Sequence, residues 1–206
     1  MLKETSSSSA DRTEQMREIK NEVVALTGSP LYAYRKMNHY HPVIGEGSHH
    51  AKIMIVGEAP GRNEAETGRP FCGAAGKILD ELLAGIGISR QNVYITNIVK
   101  DRPPENRDPL PEEIAAYGPF LDRQIAVIQP KVIATLGRFS MVYVMEKFGL
   151  IDEMENISRA HGKVFIAHAP FGDIKIVPLY HPAASIYQQD LKETLRKDFQ
   201  ILKTIT

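Results

Sequence analysis

The chain has one cysteine in 206 residues and no tryptophan. A single thiol, Cys72, excludes an intrachain disulfide and any metal or cluster site made of cysteines alone. An excess of charge of one sign is also missing, since 25 basic side chains face 25 acidic ones. Nucleic-acid binding usually leaves a basic surplus, so the overall charge points to no such partner, although a small footprint needs only a local patch. No apolar run is long enough to cross a bilayer, and the start of the chain, Met1 to Asn21, is too polar for a signal peptide. A cytoplasmic protein without a membrane partner is expected.

The remaining composition, 43% hydrophobic and 24% charged, is that of an ordinary globular domain with chain enough for a substantial core. No repeat or linker divides it. Residues 13–206 are expected to form one domain acting as a monomer, after a Ser-rich, polar stretch 1–12 expected to be disordered.

Apolar periodicity then sets an alternating order. A helix is predicted from Asp11 to Leu26, stopped by Gly28 and Pro30, and an irregular stretch rich in Tyr and His follows to His50. Strands are predicted at Lys52–Val56, Val93–Val99, Lys131–Leu136 and Ile174–Leu179, with an accessory strand or hairpin at Gly162–Ala167. Helices are predicted at Ala74–Ile86, Pro111–Gln129, Phe139–Phe148 and Gln189–Thr204. Strands alternating with helices argue for an α/β fold with a parallel sheet covered on both faces. In such sheets ligands sit beyond the carboxyl ends of the strands.

Four segments at those ends carry chemistry. Gly57-Glu58-Ala59-Pro60-Gly61 forbids regular structure, and either simply turns the chain or brings backbone N–H groups to a ligand. Glu58 and Glu64 place carboxylates there, either as functional groups or as solvated loop acids. In Gly68-Arg69-Pro70-Phe71-Cys72-Gly73, Phe71 presents a flat face to a base or fills the core. The nearby Gly76-Lys77 pair is not a P-loop, because Phe71 replaces its first Gly and Ile78 its Ser or Thr, which disfavours a nucleotide triphosphatase. Asn97 ends the second strand; its amide offers a donor and an acceptor side by side, matching the N3–H/O4 edge of uracil, or bridges nearby backbone. His181, in Tyr180-His181-Pro182-Ala183-Ala184-Ser185, is either a donor to a pyrimidine O2 or a structural histidine. His39, His41, His49 and His50 lack the spacing of a full metal-ligand set, and no metal is expected.

Together and in order, these segments and Arg102-Pro103-Pro104-Glu105-Asn106-Arg107-Asp108-Pro109 resemble the type-4 family of the uracil-DNA glycosylase superfamily, from about Ile44 to the C-terminus. The resemblance implies a three-layer α/β/α fold around a four-stranded parallel sheet. It implies a monofunctional enzyme of base excision repair that flips uracil out of DNA and hydrolyses its N-glycosidic bond. The backbone of Gly57, Glu58, Ala59 and Pro60 would cup the uracil and Phe71 stack on it. Asn97 would read its edge, and His181 would stabilise O2 of the leaving base. Glu58 or Glu64 would steady the sugar cation or orient the water, and the choice between them stays open. Lys100, Arg102, Arg107 and Arg138 are candidates for phosphate contacts, and Ser185, Ile186 and Tyr187 for entry into the minor groove, with Ile186 or Tyr187 as a wedge. A non-catalytic module that binds uracil or abasic DNA is the alternative.

The chain departs from the family at its cofactor. Type-4 members usually hold a [4Fe–4S] cluster through cysteines in a C-x-x-C segment before the first strand, after the Lys of the Asn97 motif, and at the start of the next helix. Here Ser29–Lys36 has no Cys, Asp101 follows Lys100, and Tyr117 or a neighbour takes the helix position. The cluster is expected to be absent, with packing of Leu31, Tyr32, Tyr34 and Tyr117 in its place. The loop Asp101–Pro111 contains no His of the kind that traps the abasic sugar in another branch, so ordinary turnover is expected.

Overall fold

The computed structural model describes residues 7–186 and 188–205, apart from the side chains of residues 7–10 and 189. Four apolar runs become the parallel core of the sheet: β2 (Ile53–Gly57), β3 (Tyr94–Asn97), β4 (Val132–Leu136) and β6 (Gly172–Leu179). Every residue of the first three is buried, as expected of strands covered on both faces. Two short edge strands, β1 (Glu46–Gly47) and β5 (Phe165–Ala169), pair antiparallel with β3 and β6. The sheet is therefore six-stranded and mixed, in the order β1-β3-β2-β4-β6-β5, around the expected four-stranded parallel centre.

Alternation along the strands splits the core into two faces. Ile53 and Ile55 of β2 pack with Leu79, Leu82 and Leu83 of α4 (Ala74–Gly85) and with Leu195, Phe199 and Leu202 of the last helix (Gln189–Ile205). Met54 and Val56 face the other way, toward Met16 and Ile19 of α1 (Ser7–Val24), Leu121 and Ile125 of α5 (Pro111–Ile128), and Val144 of α6 (Arg138–Lys147). Burying one Leu-sized side chain contributes about 1.5–3 kcal/mol, so these faces fix the strand register. The result is a three-layer α/β/α domain.

Besides the edge strand β1, helical segments also differ from the sequence expectation. α1 begins at Ser7, inside the stretch expected to be disordered, and Arg12 anchors it by donating to Ile128 O and Gln129 Oε1 at 3.1 Å. The Tyr/His-rich stretch contains a short helix, α2 (Tyr32–Met37), and another, α3 (Arg62–Thr67), follows the Gly57–Gly61 turn.

Chain direction places the site. From β2 the chain passes to β3 on one side, whereas from β4 it passes to β6 on the other. β2 and β4 are neighbours, so a crevice opens between the loops beyond their carboxyl ends.

Candidate active site at the strand ends

Gly57 and Asn97 are paired in register at the ends of β2 and β3. A Cβ at Gly57 would lie 2.3 Å from Asn97 Oδ1 and 2.7 Å from Phe71 Cζ, so a larger residue there would displace the amide or the ring. Phe71 has a left-handed backbone (φ 48°), a costly conformation for a bulky residue. Two contacts hold it. Its carbonyl rests on Gly76, where a Cβ would lie 1.8 Å from Phe71 O, and the N–H groups of Cys72 and Gly73 donate to Glu64 Oε1 at 3.0 and 2.9 Å.

A cavity of about 320 Å³ opens over this framework, lined by Glu58, Ala59, Gly61, Glu64, Phe71, Ala75, Asn97, Asn106, His181 and Ala183. That is within the usual size of a small-ligand pocket. A larger hollow of about 520 Å³ lies beside Asp122, Phe148 and Phe171, away from the strand ends. Size does not select between them; the polar groups do.

Asn97 is buried, and its Oδ1 has no hydrogen-bond partner. Leaving such an acceptor unmet costs about 1–3 kcal/mol. Its backbone is fixed from behind by Lys100, whose Nζ donates to Asn97 O at 2.7 Å, Thr96 Oγ1 at 2.8 Å and Gln124 Oε1 at 2.6 Å. The rings of Phe71 and His181 stack with centroids 5.6 Å apart. His181 Nδ1 accepts the Ala183 N–H at 3.1 Å, which leaves the proton of a neutral ring on Nε2. Burial lowers the His181 pKa to about 4, against a smaller opposing pull from Glu64, so the ring is neutral at pH 7.

The two carboxylates differ. Glu64 gives an oxygen to the Phe71 loop. Glu58 is governed chiefly by burial, then by Asp108, with Arg138 opposing, and its pKa is pushed up to about 7.

Of the residues expected from sequence, Glu58, Ala59, Glu64, Phe71, Asn97 and His181 share this cavity. Gly57 stands behind it, and Pro60 is buried away from its lining. The basic candidates separate. Lys100 is wholly buried and cannot reach a phosphate, because its three donors satisfy internal acceptors. Arg102 is also buried, donating to Tyr40 OH at 2.8 Å and Asn106 Oδ1 at 2.7 Å. The fork of Arg107 is taken by Glu113, at 2.6 and 2.9 Å. Arg138 alone of the four stays well exposed, in a loose 3.4 Å contact with exposed Asp108. Ser185 is buried and donates to Pro182 O at 2.8 Å, so it is not a groove contact; Ile186 is exposed, and Tyr187 lies outside the described residues.

One lining residue, Asn106, was not singled out by the sequence. Glu105 and Asn106 both take left-handed backbone (φ 54°), and Arg102 donates to the amide oxygen of Asn106, which orients that side chain in the cavity lining. An Asn in a Pro-rich loop tolerates that conformation, a signal readable in retrospect.

Residues 44–203 match the Uracil DNA glycosylase superfamily. Among individual proteins, a type-4 uracil-DNA glycosylase of Sulfurisphaera tokodaii is 43% identical over 193 residues, 93% of this chain and 85% of that protein. One of Archaeoglobus fulgidus is 43% identical, covering 91% of both chains, and one of Saccharolobus solfataricus is 44% identical, covering 90% of this chain and 83% of its own. The chain belongs to the type-4 uracil-DNA glycosylase family.

Proposed function

We infer that this chain is a working uracil-DNA glycosylase that hydrolyses the N-glycosidic bond of a flipped deoxyuridine and leaves an abasic site. The observation carrying this reading is the buried, unpartnered Oδ1 of Asn97, a residue that lines one cavity with Phe71 and a neutral His181. Uracil N3–H is the donor that oxygen lacks, and O4 accepts from the same amide. Cytosine presents an acceptor at N3, so it would set lone pair against lone pair, and a site built to bond one edge rejects the other strongly.

As the bond to N1 stretches, charge gathers on uracil O2. His181 Nε2–H donates there without needing a proton transfer, and one such preorganised donor lowers a barrier by about 3–4 kcal/mol. The sugar becomes oxocarbenium-like. Glu58 carboxylate faces that cation and orients the attacking water, whereas Glu64 holds the Phe71 loop and acts as a positioning residue. Among the described residues no lysine lines the cavity, which favours hydrolysis over a Schiff base and fits a monofunctional enzyme.

Arg138 is the phosphate contact and Ile186 the wedge that fills the gap left by the flipped base. The substrate is uracil-containing DNA, acted on by a cytoplasmic monomer whose cavity is completed by one chain. Among the described residues no helix is long and apolar enough to cross a membrane.

The test is an end-labelled oligonucleotide with a single uracil, incubated with the protein and then treated with alkali. Cleavage at uracil, and none at thymine or cytosine in matched strands, is expected. Retained binding with no alkali-labile site would replace the enzyme by a binding module.

A further inference from the structure

The segments that supply cluster thiolates in type-4 relatives still converge in this chain, but with other chemistry. Tyr117 OH of α5 donates to Asp101 Oδ2 at 2.5 Å, and Ser29 Oγ lies 2.5 Å from the same hydroxyl. Arg35 of α2 closes the group, with Nη1 at 3.1 and 3.3 Å from the two Asp101 oxygens. Its guanidinium also donates to Val23 O at 3.2 Å and Val24 O at 2.8 Å, the end of α1. All four side chains are buried.

An iron–sulfur cluster does not fit these donors. They are an alcohol, a phenol and a carboxylate, with a permanently charged guanidinium where a metal cation would be repelled. Cys72, the single thiol, belongs to the Phe71 loop. Among the described residues no group of three His, Cys, Asp or Glu side chains is placed to hold a metal.

We propose that the Ser29–Tyr117–Asp101–Arg35 network performs the mechanical task of the cluster, tying α1, α2 and α5 to the segment leaving β3, so that folding and excision need no iron. Each member has a partner, which a buried polar group requires. The network also carries direction, because Arg35 reaches back to the last carbonyls of α1 while Tyr117 reaches forward from α5. The proposal rests on membership of the type-4 family and not on the excision chemistry.

The experiment has two arms on the full chain. In the first, protein made in iron-replete medium is assayed for iron and visible absorption, then treated with a ferrous chelator and reductant, which leaves Cys72 unoxidised. No stoichiometric iron, no cluster absorption, and an unchanged melting temperature and excision rate are expected. Stoichiometric iron, or a melting temperature that falls on chelation, overturns the proposal. In the second, Asp101→Asn lowers the melting temperature by roughly 10 °C by leaving Arg35 unpaired, and Tyr117→Phe lowers it by about 3 °C. The Arg35→Met/Asp101→Leu pair recovers much of the Asp101→Asn loss, because removing both buried charges is milder than removing one. Absence of any shift, or a double variant no more stable than Asp101→Asn, overturns the clamp. Should Asp101→Asn fail to fold, Tyr117→Phe carries this arm. Iron content, visible absorption and melting temperature need no excision activity, so the two readings fail separately.

Discussion

Residues 97 and 101 stand four apart on one segment, yet they handle polarity in opposite ways. Asn97, a residue of the cavity lining, keeps a buried acceptor unmet, while Asp101 has both oxygens engaged by Arg35 and one also by Tyr117. Lys100 between them is wholly internal and braces Asn97 from behind. The open group costs stability until a donor meets it, and its place in the cavity lining, which the equally unmet Thr135 Oγ1 lacks, is what points to binding. The closed set holds elements together, a task that different chemistries perform equally well. On the proposed reading, a chain can keep a base-reading site while replacing the residues of the cluster.

Five substitutions sharpen that contrast. The largest effect is expected for His181→Ala, which removes the donor to O2. The single-turnover excision rate should fall by roughly 100- to 1000-fold while the melting temperature stays close to wild type. A fall of less than threefold would take His181 out of the reaction.

Next is Glu58→Gln, with a loss of roughly 10- to 100-fold at neutral pH. Its pH profile is the sharper readout. Because the folded pKa of Glu58 is raised to about 7, the carboxylate is lost as pH falls through 7, so the wild-type rate should climb on the alkaline side of that value. His181, with its pKa near 4, stays neutral over the same range and adds no second limb. Glu58→Gln should flatten the climb; a profile unchanged in shape would move the role to another group.

A smaller effect is expected for Arg138→Ala: a KM raised several-fold, kcat little changed, and a salt dependence shallower by about one phosphate contact. Lys100→Met, in contrast, should leave the salt slope as it is, since Lys100 cannot meet DNA. A salt slope lowered in Lys100→Met would reverse the assignment. The smallest is Cys72→Val beside Phe71, expected to alter the ratio of uracil to hypoxanthine or xanthine excision by about two- to threefold with uracil rate retained. Identical ratios would free Cys72 from any part in base preference.

The parallel centre of the sheet was legible because β2, β3, β4 and β6 are runs of buried apolar residues with turn chemistry at their ends. That Glu58, Phe71, Asn97 and His181 would meet in one cavity was legible because such sheets bring their strand-end loops together. β1 was not, since two residues, Glu46 and Gly47, make no periodicity and owe their pairing to β3. Lys100 and Arg102 read as surface cations because what buries them is distant in sequence: Gln124 and Ile44 for the first, Tyr40 for the second. Tyr117 was expected to act by packing. It does pack, beside Val23 and Leu31, but its hydroxyl is what joins Ser29 to Asp101. A hydrogen bond across 88 residues leaves no local trace.

The most direct test of the account is the single-turnover excision rate of Asn97→Ala on a uracil-containing duplex, measured beside its melting temperature. A rate lower by roughly two to three powers of ten, with stability held or slightly improved by loss of the unmet acceptor, is the predicted result. Wild-type excision by Asn97→Ala would contradict it, because uracil would then be read by something other than the open group at the end of β3.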